Sequence, residues 1–306
     1  TDMRDIHGRF RGVASSAHME GMLRTPIIEN LAFNLANELG IIPKQTKQDY
    51  EYHPTIDIDI AFAYKGRSNV HNIAAGIRDF VILRWGSVLE RFKVLLNKIQ
   101  DPYDSYDFFI NLHENSNLPT ICFVHFAKFK RPYDLGVSKL VLIPLIDKLS
   151  SRTSVNWHPS YHATTEKGQP FLNEKRSFEV VGNTTEIRTH YLRGQSSMWR
   201  EFHDASIQHD YSMGYADEPG FRAGMSRPFP AYDIEKDEPL ELIIHPFAVM
   251  DSTLKSYLNL DCEQSLNLVS ELSDAVRDVG GVMITVWHNT SVSNHGIWKG
   301  WQSLYE

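Results

Sequence analysis

The chain has 306 residues, of which 42% are hydrophobic and 23% are charged, which is typical of a globular protein with a large core. Its formal net charge is −7 and no run of lysine or arginine stands out, so nucleic acid is not the expected partner. The sequence shows no apolar stretch long enough to span a bilayer and no secretory signal, so we expect no transmembrane segment.

The first 50 residues are predicted to form an extension with one amphipathic helix. Residues 1–24 are polar and show no clear period, whereas Thr25-Pro26 is typical of a helix start. Four apolar residues then recur at helical spacing before Gly40 ends the helix: Ile28, Leu31, Leu35 and Leu39. We expect this helix to pack outside a main domain formed by residues 51–306.

From residue 54 onward, strand-like and helical patterns alternate along the chain. Apolar strand-like runs cover 55–64, 119–126, 153–158, 186–191, 207–213, 241–248 and 282–288. Helical patterns lie at 72–98, 137–150, 166–180, 196–204 and 262–279, the last after Asp261 as a predicted N-cap. This alternation favours a parallel sheet covered by helices, and we predict an α/β fold, a distorted (β/α) barrel of about seven strands.

The two cysteines of the chain indicate the cellular compartment in which we expect the protein. Cys122 lies in the apolar run 119–124 and is predicted to be a core residue, and nothing suggests that it pairs with Cys262. Chains that lack structural disulfides are typical of a reducing environment, so we expect a cytoplasmic rather than a secreted protein.

Asp57 and Asp59 lie two residues apart in the apolar stretch Thr55-Ile-Asp57-Ile-Asp59. Residues at this spacing in a strand point to the same side, where their like charges repel and a cation would relieve the repulsion. The motif alone does not identify the chemistry. An Asp-x-Asp pair also binds metal and nucleotide in many glycosyltransferases, and an Asp at a strand end can simply cap the next helix.

The stretch His158-Pro-Ser-Tyr-His162 favours a metal site. Two histidines four residues apart lie on one face of a helical turn. One carboxylate with two imidazoles is a ligand set for a zinc-like divalent ion with open coordination positions. We therefore predict Asp59, His158 and His162 as metal ligands, with Asp57 left for proton transfer in a metal-assisted hydrolase.

Further ionisable residues lie where other predicted strands end, which in α/β barrels is the place of the active site. His288 ends the apolar run 282–288, and a half-buried histidine there suits a general acid. Arg188 could pair with Asp57 and hold it ionised, or could form an ordinary ion pair.

The polar segment 214–240 is too long for an ordinary connection, and such loops are often functional. Its aromatic, glycine and arginine residues suit sugar recognition, and we expect residues 214–230 to fold over the strand ends as one wall of a cleft. Arg222 would contact the substrate there, or it would pair with Asp217 or Glu218 and order the loop.

These stretches together resemble the polysaccharide deacetylase family, the NodB-type carbohydrate esterases, in a divergent bacterial branch. Thr55-Ile-Asp57-Ile-Asp59 matches the family's first motif, Thr-Phe-Asp-Asp-Gly, and the segment 158–162 matches its second, His-Ser/Thr-x-x-His. Arg188-Thr-His190-Tyr191 loosely matches its third, Arg-x-Pro-Tyr, and the apolar strand ending at His288 matches its last. The chain departs from the family at Ile58 and at His190. The resemblance covers residues 54–306, and residues 1–50 resemble the tail of a region that precedes the barrel.

The resemblance implies a hydrolase that removes an acetyl group from an N- or O-acetylated sugar or glycan. Its site would comprise a zinc ion on Asp59, His158 and His162, with Asp57 as base and His288 as acid. Arg188 would complete the catalytic group, and the substrate contacts would be Tyr191, Asp217, Arg222 and Trp287. Two alternatives stay open, an inactive sugar-binding barrel and an Asp-x-Asp glycosyltransferase.

Overall fold

Nine strands form one sheet in the computed structural model of the chain, which describes residues 3–41, 50–127, 132–135, 138–165, 168–193 and 198–306. The strands are β1 Glu51–Ile58, β2 Ile121–His125, β3 Ser154–His158, β4 Asn183–Ile187, β5 His209–Asp210, β6 Phe229–Asp233, β7 Glu238–Ile244, β8 Val249–Met250 and β9 Val282–His288. Their order in the sheet is β6-β7-β5-β4-β3-β2-β1-β9-β8. Each of the seven predicted strand runs overlaps an observed strand, whereas β6 and β8 were not predicted.

The strand pairs are parallel apart from β6 with β7, which is antiparallel. In this register Asp57 of β1 lies beside His288 of β9, and His125 of β2 lies beside His158 of β3. The carboxyl ends of the central strands therefore meet at one edge of the sheet, and the polar residues at those ends come together.

The residues that follow β7 form hydrogen bonds with two strands that are not neighbours in the sheet, β5 and β9. The backbone N–H of His245, just after β7, donates to the carbonyl of Asp210 on β5 over 2.8 Å. Three residues later, the N–H of Ala248 donates to the carbonyl of Ile284 on β9 over 2.9 Å. The α/β class is confirmed. Closure into a barrel stays a prediction, because within the described ranges no strand pairing joins β7 to β8.

The described segments also contain ten α-helices. They are α1 Ser16–Met19, α2 Ile27–Glu38, α3 Asn69–Val81, α4 Trp85–Leu95, α5 Tyr106–Asn115, α6 Lys139–Ser150, α7 Gln169–Phe178, α8 Trp199–Asp204, α9 Cys262–Asp278 and α10 Gln302–Tyr305. The predicted helix over 72–98 is two helices, because Leu83 adopts a left-handed φ of 58° between them. Asp261 caps α9 as predicted, in a capping box with Gln264. No helix of the described segments is long and apolar enough to cross a membrane.

The alternation of side chains along the strands gives the sheet two different faces. On one face, Ile56 and Trp157 join the large cluster that packs under the helices, and Cys122 is fully buried there as expected, with a free thiol. On the other face, a smaller cluster contains Phe123 and Ile284. Residues that alternate with the first set, such as Asp57, lie on this second face.

The N-terminal extension packs against the loop 214–228. The N–H of Gly12 donates to Asp217, and the N–H of Phe221 donates to the carbonyl of Leu23 over 2.8 Å. Helix α2 matches its prediction, and its first turn is tied to the loop through Glu29, which accepts from the N–H of Ser226. The loop thus supports the extension, and the division of the chain near residue 50 stays a prediction.

Candidate active site and metal centre

A cleft of about 490 Å³ opens at the carboxyl edge of the central strands. Its polar lining includes five ionisable residues from four segments: Asp57, Asp59, His158, His190 and His288. Its aromatic lining includes Tyr133, Tyr191, Tyr257 and Trp298. Concave sites with a few convergent polar groups among apolar and aromatic side chains are the usual form of ligand sites.

Three of these residues form a group that could hold a metal ion. Ligand atoms of Asp59, His158 and His190 all lie within 4.8 Å of one another. Nε2 of His158 lies 3.1 Å from Oδ1 of Asp59, and Nε2 of His190 lies 3.6 Å from its Oδ2. Burial opposes ionisation of Asp59, but the nearby His190 and His288 outweigh it and hold the pKa of Asp59 well below its usual range.

The structure places His162 outside this group, which corrects the predicted ligand set. The prediction required a helical turn after His158, but residues 161–165 form turns rather than a helix. The backbone N–H of His162 donates to Asp134 over 3.1 Å, and its imidazole is not among the grouped ligand atoms. Its place in the group is taken by His190, a residue that the sequence comparison identified only as a departure from the third motif.

The buried carboxylate of Asp134 contacts the ring nitrogen of His190 that faces away from Asp59. Asp134 is 1% exposed, and its Oδ1 lies 3.3 Å from Nδ1 of His190, which directs Nε2 of the same ring toward Asp59. Burial opposes protonation of His190, but Asp59 and Asp134 outweigh it and raise its pKa to about 9. His125 is also buried beside this pair, and burial together with its histidine neighbours lowers the pKa of His125 to about 3.

Arg188 and Asp57 form a buried ion pair at one side of the cleft. Nη1 of Arg188 donates to Oδ1 of Asp57 over 2.8 Å, and its Nε donates to the carbonyl of Tyr211 over 3.1 Å. The guanidinium also lies 4.6 Å from the ring centre of Phe123. The Asp57 carboxylate is therefore held in one orientation, with its second oxygen outside this hydrogen bond.

His288 and Asp251 form a second pair at the other side. Nδ1 of His288 lies 2.7 Å from Oδ1 of Asp251, and Oδ2 of Asp251 accepts from the backbone N–H of His288 over 2.8 Å. Nε2 of His288 then faces Asp59 at 3.5 Å. Burial disfavours the imidazolium, but Asp251 and Asp59 outweigh it and raise the pKa of His288 to about 10.

Only Tyr191 of the four predicted substrate contacts lines the cleft. Trp287 alternates with His288, so it points to the helix-covered face and packs 5.0 Å from the ring of Tyr305. Asp217 accepts from Gly12, and Arg222 donates to the carbonyl of Gly214 over 3.0 Å, without pairing with Asp217 or Glu218 as the alternative expected. The loop 214–230 contributes no residue to the cleft lining and orders the N-terminal extension instead.

The extension itself supplies part of the cleft wall. Arg9 lines the cleft, where it donates to the hydroxyl of Tyr257 over 2.7 Å and to the carbonyl of Tyr191 over 3.3 Å. Residues 1–24 showed no period, so the sequence carried no signal for this role. Asp251 follows β8 directly, and an acidic residue at a strand end was a signal that could have found it. Asp134 had no such signal.

Comparisons with known proteins bear on the fold. No family model and no curated protein matches the sequence. Among solved structures, a candidate polysaccharide deacetylase from Mycobacterium smegmatis is similar with a TM-score of 0.52 and 12% identity, over 86% of this chain and 85% of that chain. A candidate polysaccharide deacetylase involved in O-antigen biosynthesis from Bordetella bronchiseptica gives a TM-score of 0.42 and 14% identity, over 78% of this chain and 71% of that one. The first likeness shows that the chain shares that protein's fold, as the resemblance predicted.

Proposed function

We propose that the protein is a metal-dependent hydrolase that removes an acetyl group from an N- or O-acetylated sugar or glycan, on a distorted (β/α) barrel. One observation carries this proposal. The group Asp59, His158 and His190 lies in the same cleft as the Arg188–Asp57 pair and the Asp251–His288 pair. Acetyl transfer to water needs a base and an acid placed about one electrophile, and these two pairs supply them.

The donor set fits a zinc-like ion. It offers one carboxylate oxygen and two imidazole nitrogens, as in catalytic zinc sites that keep a further position open. Oδ1 of Asp59 is buried and makes no hydrogen bond among the described residues, although Nε2 of His158 lies 3.1 Å away, and such an atom is costly unless a ligand satisfies it. Asp59, His158 and His190 would hold the ion. When bound, it would supply Lewis acidity toward the acetyl carbonyl and lower the pKa of a water molecule.

The residues of the chain divide the proton transfers between them. Asp57 takes the proton of the attacking water, and Arg188 keeps its carboxylate turned toward the cleft. His288 gives the proton of its Nε2 to the departing nitrogen or oxygen of the sugar, while Nδ1 stays bound to Asp251. The aromatic side chains of the cleft, Tyr191 among them, offer faces on which a sugar ring can stack.

The geometry weakens the glycosyltransferase alternative. That reading needs both carboxylates of the Asp-x-Asp motif on one ion, but Asp57 pairs with Arg188 and does not belong to the ligand group. An inactive sugar-binding barrel would keep the same cleft, so only an activity measurement separates it from the proposed hydrolase.

The test is acetate release from a panel of N- and O-acetylated oligosaccharides, with zinc supplied to the purified protein. Asp57→Asn should lower the turnover by roughly 10²–10⁴-fold and leave the zinc content unchanged, since the base is not a ligand. Asp217→Asn is the matched control, because this carboxylate binds the backbone of Gly12 outside the cleft, and it should retain activity. Sugar binding without acetate release in the unaltered protein would instead support the inactive barrel.

A further inference from the structure

Helices α3 and α4, with the residues that follow to position 99, form a hairpin whose buried side is polar. We call residues 69–99 the α3–α4 hairpin. Arg91 is buried, and its Nη1 donates to Oδ1 of Asn72 over 3.1 Å while its Nη2 donates to Oδ2 of Asp79 over 2.8 Å. All three residues are at most 9% exposed. The two helices are thus joined by a charged and polar network, with Val94 of α4 as a buried apolar side chain beside it.

The outward side of the hairpin is apolar. Six large side chains recur at helical spacing with exposures from 49% to 63%: Ile73, Ile77, Phe80, Trp85, Leu89 and Phe92. An ordinary surface helix shows the reverse arrangement, with its apolar stripe on the core and its polar face in water. Contiguous exposed apolar surface of this kind marks a site that another surface covers.

The charges of the hairpin indicate what covers it. The sequence from 69 to 99 holds five basic and two acidic residues, a net of +3 in a chain whose net charge is −7. Both acidic residues are engaged, since Asp79 is buried against Arg91 and Glu90 accepts from the hydroxyl of Tyr64 over 2.7 Å. The exposed charges are therefore all cationic: Arg84, Lys93 and Lys98, with Arg78, which also pairs with Asp79 over 2.9 Å.

Helix α2 provides an instructive contrast. It also exposes an apolar stripe, with Leu31 at 59% and Leu35 at 56%. However, it contains no lysine or arginine, and its charged residues are Glu29 and Glu38. Helix α2 thus exposes an apolar stripe without the lysine and arginine residues that flank the apolar face of the hairpin.

We propose that the α3–α4 hairpin docks on an anionic lipid surface. A helix face with tryptophan, phenylalanine and leucine flanked by lysine and arginine is the composition of helices that lie in the membrane interface. The rings of Phe80 and Trp85 contact each other at 4.3 Å across the turn and would enter the boundary between headgroups and acyl chains. A second copy of the chain fits less well, because pairing the two hairpins would bring like charges together.

This surface borders the cleft. Glu90 of α4 lies 3.2 Å from His295, and His295 belongs to the segment after β9 that contributes Thr290 and Trp298 to the cleft lining. Docking would therefore place the cleft beside the bilayer, within reach of glycans carried at a membrane surface. The docking itself does not depend on the reaction proposed above.

The test is flotation with vesicles of mixed phosphatidylcholine and phosphatidylglycerol, compared with phosphatidylcholine alone. We expect the protein to float with the anionic vesicles and to bind less at high salt, because screening weakens its attraction to the headgroups. Lys93→Glu with Lys98→Glu should weaken binding by at least about fivefold for each charge removed. Trp85→Glu with Phe92→Glu should abolish flotation.

The controls distinguish docking through the hairpin from nonspecific membrane binding and from misfolding. Leu31→Glu with Leu35→Glu in α2 should leave flotation unchanged, and circular dichroism should be the same for all variants because each altered side chain is exposed. Equal loss in the α2 variant would overturn the proposal. So would failure of the unaltered protein to float, or a dimer in solution that Trp85→Glu with Phe92→Glu dissociates.

Discussion

Nη1 of Arg188 lies 2.8 Å from Oδ1 of Asp57, and both side chains are buried on the face of the sheet that leads to the cleft. Arg188 comes directly after β4 and Asp57 lies near the end of β1, so 131 positions of sequence separate them. The pair links two strands of the sheet and sets the orientation of the carboxylate that we propose as the base. Its integrity should therefore affect both stability and turnover.

Removing one partner of this pair should be strongly destabilising. Arg188→Met leaves Asp57 as an uncompensated buried charge, and such losses cost about 3–5 kcal/mol. Urea unfolding followed by circular dichroism measures the effect. Arg152→Met is the control, because the pair of Arg152 with Glu114 is exposed and should matter little. Equal stability of the two variants would show that Asp57 does not need its partner.

Zinc binding should depend on His190 and not on His162. His190→Ala removes a donor from the ligand group, so its affinity for zinc should fall by more than the about 10–100-fold that loss of an outer partner costs. His162→Ala should keep its affinity, because His162 lies outside the group. Calorimetric zinc titration distinguishes the two, and the opposite ranking would restore the ligand set expected from the sequence.

Asp134 should act on zinc through His190. Its carboxylate lies against Nδ1 of His190 and so fixes the ring with Nε2 toward Asp59. Asp134→Asn should weaken zinc binding by about 10–100-fold, the usual effect of removing such a carboxylate. The same titration checks this value, and Asp233→Asn provides the control, because Asp233 pairs with Arg200 and lies outside the cleft lining. An unchanged affinity would mean that His190 is held by its packing alone.

Asp251 should govern the protonation of His288 during turnover. The carboxylate raises the pKa of His288, so Asp251→Asn lowers that pKa, and the basic limb of the pH–rate profile should move to lower pH. Turnover at neutral pH should fall by roughly 10²-fold or more, with the zinc content unchanged. A basic limb that stays in place in the variant would remove His288 from the role of general acid.

His113 should make the stability of the protein depend on pH. Burial lowers its pKa from 6.5 to about 4, so the folded state binds fewer protons there than the unfolded state. The stabilisation is complete above pH 6.5 and is lost as the pH falls toward 4, by at most about 3 kcal/mol. Urea unfolding at several pH values measures it. His113→Gln should flatten the profile over this range, whereas exposed His18→Gln should not.

Local patterns in the sequence were sufficient for most of the longer elements of the fold. Alternating apolar runs predicted the parallel strands, and the capping residue Asp261 predicted the start of α9. Helix α5 was not predicted, and Leu83 divided a helix that the apolar period joined. The backbone conformation of these segments depends on tertiary contacts, which the spacing of apolar residues does not reveal.

For the candidate site, the sequence by itself indicated which strand ends carry ionisable residues that could act together. Asp57 and Asp59 were selected from their spacing in the first strand, and His158 and His288 from the ends of apolar runs; the structure brings all four to one cleft. This convergence has a physical reason. Parallel strands deliver their carboxyl ends to the same edge, so a one-dimensional pattern already places these residues together.

Only the tertiary structure decided which residues complete the site. His190 rather than His162 joins the candidate ligand group because the chain turns after β3 instead of forming a helix, and Asp251 reaches His288 because β8 pairs with β9. Trp287 was assigned to the substrate although strand alternation turns it to the opposite face. Arg9 reaches the cleft from a segment without any period, through contacts that no local pattern encodes. The spacing of residues in the sequence predicts which side chains are neighbours within one helix or strand. Contacts between different elements depend on how those elements pack.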